Sequence, residues 1–327
     1  MTRPHVPAEI LDLAHQRRAA REAQDWTQAD GLRASIEAGG WTVIDRGVDF
    51  DLRPLRPPDV IEGDLVRYGS SAAVPSRLGE TASAPATVIL VATDRIDDAA
   101  RLARTVQAEA MDGTQVIVVA DGSDADHEPT LATLVADEVE VVRTAQPLGS
   151  AGALNAGVRR ARGAIVIILG LDVEVTGDIV LPLEAPFRDP GVGVAGGWGV
   201  VGADAGHLDV APTGDVDAVD GSCLAFRRMD FAERGPLDER FRTDRHLDTW
   251  WSLVLRDEGK GAPPRRATTV DLPATRPAAG GAPSPRVPDR AAKRDFYRLL
   301  DRFGGRTDLL SGGASVPGTT SGARQPG

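Results

Sequence analysis

Val116-Ile-Val-Val119 runs into Ala120-Asp121-Gly122-Ser123, Val139-Glu-Val-Val-Arg143 leads to Pro147-Leu-Gly149-Ser-Ala-Gly-Ala-Leu-Asn155-Ala-Gly157, and Ala164-Ile-Val-Ile-Ile-Leu169 stops at Gly170-Leu171-Asp172. Each apolar run is short, β-branched and bounded by Gly, Asp or Pro, the pattern of a strand buried on both faces. Ala- and Leu-rich segments at helical spacing lie between the runs. Strands alternating with helices predict βαβ units around a covered parallel sheet. Ligands of such sheets bind at the carboxyl ends of the strands. Asp121 and Asp172 both follow strand ends, so the pattern places them on one sheet edge facing a common cleft.

Working outward, Thr87-Val-Ile-Leu-Val-Ala92 is the preceding strand, ending at Thr93-Asp94-Arg95, and residues 96–110 form its crossover helix. Downstream, Val192-Gly-Val-Ala-Gly-Gly-Trp-Gly-Val-Val201 reads as Gly-rich strand, residues 202–218 as a mobile loop over the cleft, and Cys223-Leu-Ala-Phe226 as strand again. Gly235-Pro-Leu-Asp-Glu-Arg-Phe241 precedes His246-Leu-Asp248-Thr-Trp-Trp251, which opens a helix ending before Gly259.

The order and spacing of these motifs resemble a family 2 glycosyltransferase of the GT-A fold, from about Ala86 to about Leu272. The resemblance implies a nucleotide-diphospho-sugar transferase, a Rossmann-like α/β sheet with flanking helices. It also implies a nucleotide-sugar donor, an acceptor hydroxyl and an inverting displacement. Thr93, Asp121, Gly122, Ser123, Gly149 and Asn155 fall on its donor-binding positions, Asp172 on its metal position for Mn²⁺ or Mg²⁺, and Asp248 on its general base. The chain departs from the family where Gly170 replaces the first carboxylate of Asp-x-Asp, Leu247 replaces a Glu, and Asp94-Arg95 replace Tyr-Asn.

The residues allow plainer roles beside these. Asp121 can accept hydrogen bonds from a base edge or ribose, or cap a helix, for which Ser123 is the better candidate. The small residues after Gly149 suit a phosphate at a helix N-terminus, and equally a helix packed tightly on the sheet. Asp172 can be a strand-end turn, and Asp248 an N-cap whose helix keeps its pKa low. Trp250 and Trp251 suit a sugar ring or the core.

Residues 7–23 and about 27–38 are helical in pattern, with Thr27 the expected N-cap, and Trp41–Asp45 with Val48–Leu52 form a hairpin around Gly47. Arg18, Arg21, Asp25, Trp26, Ala29, Asp30, Leu32 and Arg33 resemble the small C-terminal module of cysteinyl-tRNA synthetases, which helps recognise tRNA. No catalytic signature of those enzymes is present, so the expectation is a docking or packing module; an RNA contact through its arginines is the alternative. The expected organisation is therefore a helical-hairpin module at 1–55, a Pro-rich linker at 56–85, a GT-A-like domain at 86–305 and a disordered tail at 306–327.

Composition narrows the function classes. A net charge of -11 argues against a polyanion-binding role and makes a nucleic-acid partner unexpected. The single cysteine, Cys223, excludes an intrachain disulfide and a thiolate metal cluster. No apolar run approaches the ~18–20 residues that span a bilayer, and the N-terminus lacks a signal-like core. A soluble, cytoplasmic protein is expected. The competing function classes are a non-catalytic GT-A-like binding protein and an RNA-associated adaptor.

Overall fold

A computed structural model describes residues 6–47, 49–55, 57–241, 243, 244, 246–276 and 289–310. The chain divides into two compact units, Met1–Ala73 and Val74–Gly327. The first contains α1 (Ala8–Glu22), α2 (Trp26–Ala38), β1 (Trp41–Arg46), β2 (Asp49–Pro54), β3 (Val60–Glu62) and β4 (Leu65–Tyr68). Asp25, not Thr27, caps α2, accepting from Gln28 N at 2.9 Å. Ile10 and Ala14 of α1 and Ile36 of α2 close over Trp41 and Val43 of β1, a small apolar core that the 3.6-residue period makes possible. The arginines of the alternative RNA reading, Arg17, Arg18, Arg21 and Arg33, all have carboxylate neighbours within the unit. Arg17 pairs with Asp45 at 2.7 Å, Arg21 with the same carboxylate, and Arg33 with Glu37 at 2.9 Å. The Arg17 guanidinium holds the Asp45 carboxyl below the usual carboxylate range.

The stretch 56–85, expected as a linker, holds the β3–β4 hairpin, and Gly69 N donates to Asp59 at 2.8 Å. Its prolines punctuate ordered structure here, and the boundary between units falls inside it, after Ala73.

The second unit begins with β5 (Ala84–Ala92), α3 (Ile96–Glu109), β6 (Gln115–Ala120), α4 (Glu128–Ala136), β7 (Glu140–Thr144), α5 (Ser150–Arg160) and β8 (Gly163–Leu169). It continues through β9 (Glu174–Val175), α6 (Val180–Glu184), β10 (Val192–Gly196), β11 (Gly199–Asp204), β12 (His207–Ala211), β13 (Gly214–Val216) and β14 (Ala218–Val219). It ends with β15 (Cys223–Arg227), α7 (Arg228–Arg234), α8 (Leu247–Arg256), β16 (Arg266–Thr269), β17 (Ala274–Thr275) and α9 (Asp289–Phe303). Its large sheet runs β13-β16-β10-β15-β8-β5-β6-β7. The four strands β8, β5, β6 and β7 pair in parallel, as their apolar runs predict. β15 then pairs antiparallel to β8, so the sheet is mixed.

Strand order reverses at β5, with β6 on one side and β8 on the other, which opens a crevice at the carboxyl ends. α3 and α5 cover the sheet. A Cβ at Gly157 would sit 2.8 Å from Ile89 and 3.0 Å from Val119, so that glycine lets α5 lie directly on β5 and β6. Residues 202–218, expected as a loop, form the β11–β12 hairpin and edge strands instead; their polar, Gly-interrupted pattern is that of a surface hairpin.

At the C-terminal side Leu299 and Phe303 of α9 are buried, and Arg302 lies over Trp250 at 5.1 Å. Order continues past 305. Leu309 and Leu310 are buried and Leu309 O accepts from Arg256 at 2.6 Å, so residues 306–310, expected as part of a disordered tail, are ordered. Residues 311–327 lie outside the described residues. Among the described residues no helix is long and apolar enough to cross a membrane.

Candidate active site

The crevice is a cleft of about 1190 Å³. Thr93, Asp94 and Arg95 reach it from the end of β5, and Gly170 and Asp172 from the end of β8. The Asp220–Ser222 turn before β15 and the entry to α8, with His246 and Asp248, form the other wall.

Asp248 is fixed by two backbone donors. Its Oδ2 accepts from Gly221 N at 3.0 Å and its Oδ1 from Thr249 N at 2.7 Å. Asp248 is half-buried, yet the protein atoms packed around it desolvate its carboxylate and push its carboxyl up to about 6; the two N–H groups oppose that rise, and Asp220 and Asp244 add to it. The sequence-based expectation of a low pKa at a helix start is thus reversed, because desolvation of the carboxylate outweighs the helix N-terminus. His246, just before α8, holds left-handed backbone at φ 65°, which turns the chain sharply into the helix. Trp250 and Trp251 are both buried; Trp251 packs edge-on against Phe226 at 5.5 Å, and also borders the cleft.

Asp172 stands at the cleft edge, but its Oδ1 accepts from Arg95 Nη1 at 2.7 Å. Arg95 also donates from Nε to Asp98 at 2.7 Å. Asp220 is similarly engaged: Oδ2 accepts from Arg276 at 2.7 Å and Oδ1 from Ser222 N at 2.8 Å. These residues do not fit a divalent cation. Among the described residues no group of three His, Cys, Asp or Glu side chains converges on one point. Gly170 supplies no carboxylate, and Asp172, at the expected metal position, already bears a guanidinium, while Asp94, Asp244 and His246 border the cleft without converging with it on one point.

Other expected donor-site residues sit behind the cleft wall. Asp121 is buried. Its Oδ1 accepts from Thr144 Oγ1 at 2.9 Å and Leu148 N at 2.8 Å, and its Oδ2 from Gly149 N at 3.2 Å. It fastens the turn that leads into α5. Gly122 is required there, with φ 67° and no room for a Cβ, which would lie 2.4 Å from Pro147. Ser123 caps no α-helix; the chain makes a short 3-10 turn at Ala125–His127 instead. Asn155, on buried α5, accepts from Leu237 N and donates to Leu237 O, both at 2.9 Å, which ties down the Gly235–Phe241 loop. Of the expected site residues the cleft therefore gathers Thr93, Asp172 and Asp248, while Asp121, Gly122, Ser123, Gly149 and Asn155 do not line it.

Residues 87–240 match Glycosyl transferase family 2. The matched segment, just under half of the chain, carries the strand ends and the Asp220–Ser222 turn described above. The structure of GalNAc-T7 with UDP, GalNAc and Mn²⁺ superposes with a TM-score of 0.53 at 15% identity, covering 66% of this chain and 48% of that one. That likeness shows the GT-A fold. The mannosyltransferase PcManGT of Pyrobaculum calidifontis, solved with GDP-Man and Mn²⁺, gives a TM-score of 0.46 at 18% identity over 60% of this chain and 58% of that one. A 51-residue stretch is 45% identical to the cysteine–tRNA ligase of Opitutus terrae, covering 16% of this chain and 11% of the ligase. The chain thus spans about half of GalNAc-T7 and about a ninth of the ligase.

Within this GT-A unit, sequence reasoning missed Asp220 and Arg276. Arg276 follows a two-residue strand in a Pro-rich stretch, where composition carries no site signal. Its partner surface is Trp198, whose ring lies 5.0 Å from the guanidinium; an aromatic isolated in a Gly run was the available clue. Gly221 is the residue that places the carboxylate. A Cβ there would lie 3.2 Å from Asp248 Cβ. Gly221→Ala is expected to displace the Asp248 carboxylate from its backbone donors and to destabilise the unit by about 1–3 kcal/mol, the usual effect of overpacking, lowering Tm by roughly 2–12 °C. Thermal melts of the variant check this.

Proposed function

We propose that the GT-A unit transfers a sugar from a nucleotide-sugar donor to an acceptor hydroxyl by an inverting single displacement, with Asp248 as the base. The observation that carries this reading is the Asp248 carboxylate, held by two backbone N–H groups on the wall of a strand-end cleft with its pKa raised to about 6. A carboxylate of that pKa is ionised at neutral pH, yet is a better proton acceptor than an ordinary aspartate. The acceptor O–H gives its proton to Asp248 while its oxygen attacks the anomeric carbon. The bond from that carbon to the diphosphate oxygen breaks, and its electron pair leaves with the nucleoside diphosphate. Asp248 then returns the proton to solvent. Thr93 and Arg95 at the end of β5 and the β8 turn at Gly170 form the donor side; Gly221, Ser222 and His246 form the acceptor side.

A GT-A-like domain that binds a ligand without turnover is the second reading, favoured by Gly170 and by the Arg95–Asp172 pair. Turnover of a nucleotide sugar separates the two. As the proposed base ionises, kcat/KM is expected to rise tenfold per pH unit below about 6 and level off above it. A flat profile across that range would remove Asp248 as the base.

A further inference from the structure

We propose that this cleft holds the diphosphate of its donor without a divalent cation, using the guanidinium of Arg95 assisted by that of Arg276. The inference rests on reading the cleft as a nucleotide-sugar site.

Four observations carry it. First, neither space nor backbone demands a glycine at 170. A Cβ there would meet Ser222 Cα and O at 3.4 Å, an ordinary contact, and Gly170 is not among the residues with positive φ. The missing carboxylate is therefore a matter of chemistry, not packing. Second, the carboxylate that remains, Asp172, is neutralised by Arg95 at 2.7 Å, and Asp98 holds the same guanidinium from its other side. A cation approaching Asp172 would meet a fixed positive charge. Third, Asp220 and Asp248 are committed to Arg276 and to backbone N–H groups, and Asp94, Asp244 and His246, which also line the cleft, do not gather with Asp172 into a group of three ligands among the described residues. Fourth, Arg276 is oriented by Trp198 at 5.0 Å and Asp220 at 2.7 Å, so a second guanidinium borders the same cleft.

A guanidinium presents five N–H donors in a planar fork that suits phosphate oxygens. Arg95 uses Nε and Nη1 on its two aspartates, so these carboxylates aim it while its remaining N–H groups stay available to a ligand oxygen. Asp172 is then a positioning residue that also repels the diphosphate. The sign of its substitution therefore separates the two chemistries. Loss of a metal ligand weakens binding, whereas loss of a negative charge beside an arginine clamp does not.

The test is calorimetric titration of the full-length protein with UDP, GDP and dTDP, in EDTA and in Mn²⁺, and with Mn²⁺ alone. One nucleoside diphosphate is expected to bind equally in both media, with no heat from Mn²⁺ alone. Arg95→Ala is expected to bind it about 10- to 100-fold more weakly, the worth of a charge-assisted hydrogen bond. Asp172→Asn is expected to bind at least as tightly as the wild type; melting temperatures confirm that both variants fold. Binding only in Mn²⁺, or its loss in Asp172→Asn, overturns the inference and leaves the donor site standing. No binding in either medium overturns both.

Discussion

Asp248→Asn is expected to abolish sugar transfer while making the protein more stable at pH 7. On the proposed mechanism the variant cannot accept the acceptor's proton, so kcat falls by roughly 10²- to 10⁴-fold with donor affinity unchanged. The stability change follows from burial. The folded carboxyl titrates near 6 against 3.8 when free. The folded state therefore binds the extra proton between those values, and stability declines as pH rises from about 4 to about 6. Above pH 6 the ionised Asp248 carries the full penalty, which the shift bounds at about 3 kcal/mol. Asn removes the charge but has only one oxygen for the two N–H donors of Gly221 and Thr249. One donor loses its acceptor at a cost of about 1 kcal/mol. A net gain of roughly 1–2 kcal/mol remains, or several degrees in Tm for a unit this size. The gain should vanish below pH 4, where the wild-type carboxyl is protonated in both states. Thermal melts of both proteins from pH 4 to 8 check the sign. Unaltered turnover in the variant would remove Asp248 from the mechanism.

Asp121→Ala is expected to act on folding before it acts on binding. The buried carboxylate accepts from Thr144 Oγ1, Leu148 N and Gly149 N, the donors that set the turn into α5. Truncation leaves the N–H groups of Leu148 and half-buried Gly149 without this acceptor, each at about 1–3 kcal/mol, partly relieved by entering water, while Thr144 Oγ1 can still donate to Gln146 O at 2.9 Å. A loss of roughly 3–4 kcal/mol is expected, lowering Tm by roughly 6–15 °C. Because α5 lies directly on β5 and β6, the damage should spread to the strands that end at the cleft. Chemical denaturation of the variant measures this. A wild-type midpoint combined with lost nucleotide binding would instead return Asp121 to the ligand.

These two aspartates show how far the sequence could be read. The parallel strands were legible because buried β-branched runs bounded by Gly and Asp have few other homes. Asp172 could be placed at the cleft because topology puts strand ends there, and Asp248 because the family resemblance puts a base at that helix start. What Asp121 and Asn155 touch was not legible. Their partners, Leu148 and Leu237, are backbone groups whose positions depend on loop conformation, 27 and 82 residues away in sequence. A motif position shows that a carboxylate is needed, not whether it faces a ligand or the chain's own N–H groups. The pKa of Asp248 was misjudged for a related reason. Helix position is local and readable, whereas desolvation comes from elements such as the Asp220–Ser222 turn that pack beside it only in the folded chain. The β3–β4 hairpin was hidden by prolines that flank it, at 57 and 58, without interrupting either strand.

The central claim, that the cleft binds a nucleotide-sugar donor, is tested most directly by thermal melts of the full-length protein against a panel of UDP-, GDP- and dTDP-sugars. A donor at ~100 times its Kd adds roughly 2.7 kcal/mol to stability, hence a rise of roughly 5–10 °C. The account predicts such a rise with the sugars of one nucleotide and a smaller rise in Arg95→Ala. No rise with any member of the panel would contradict it.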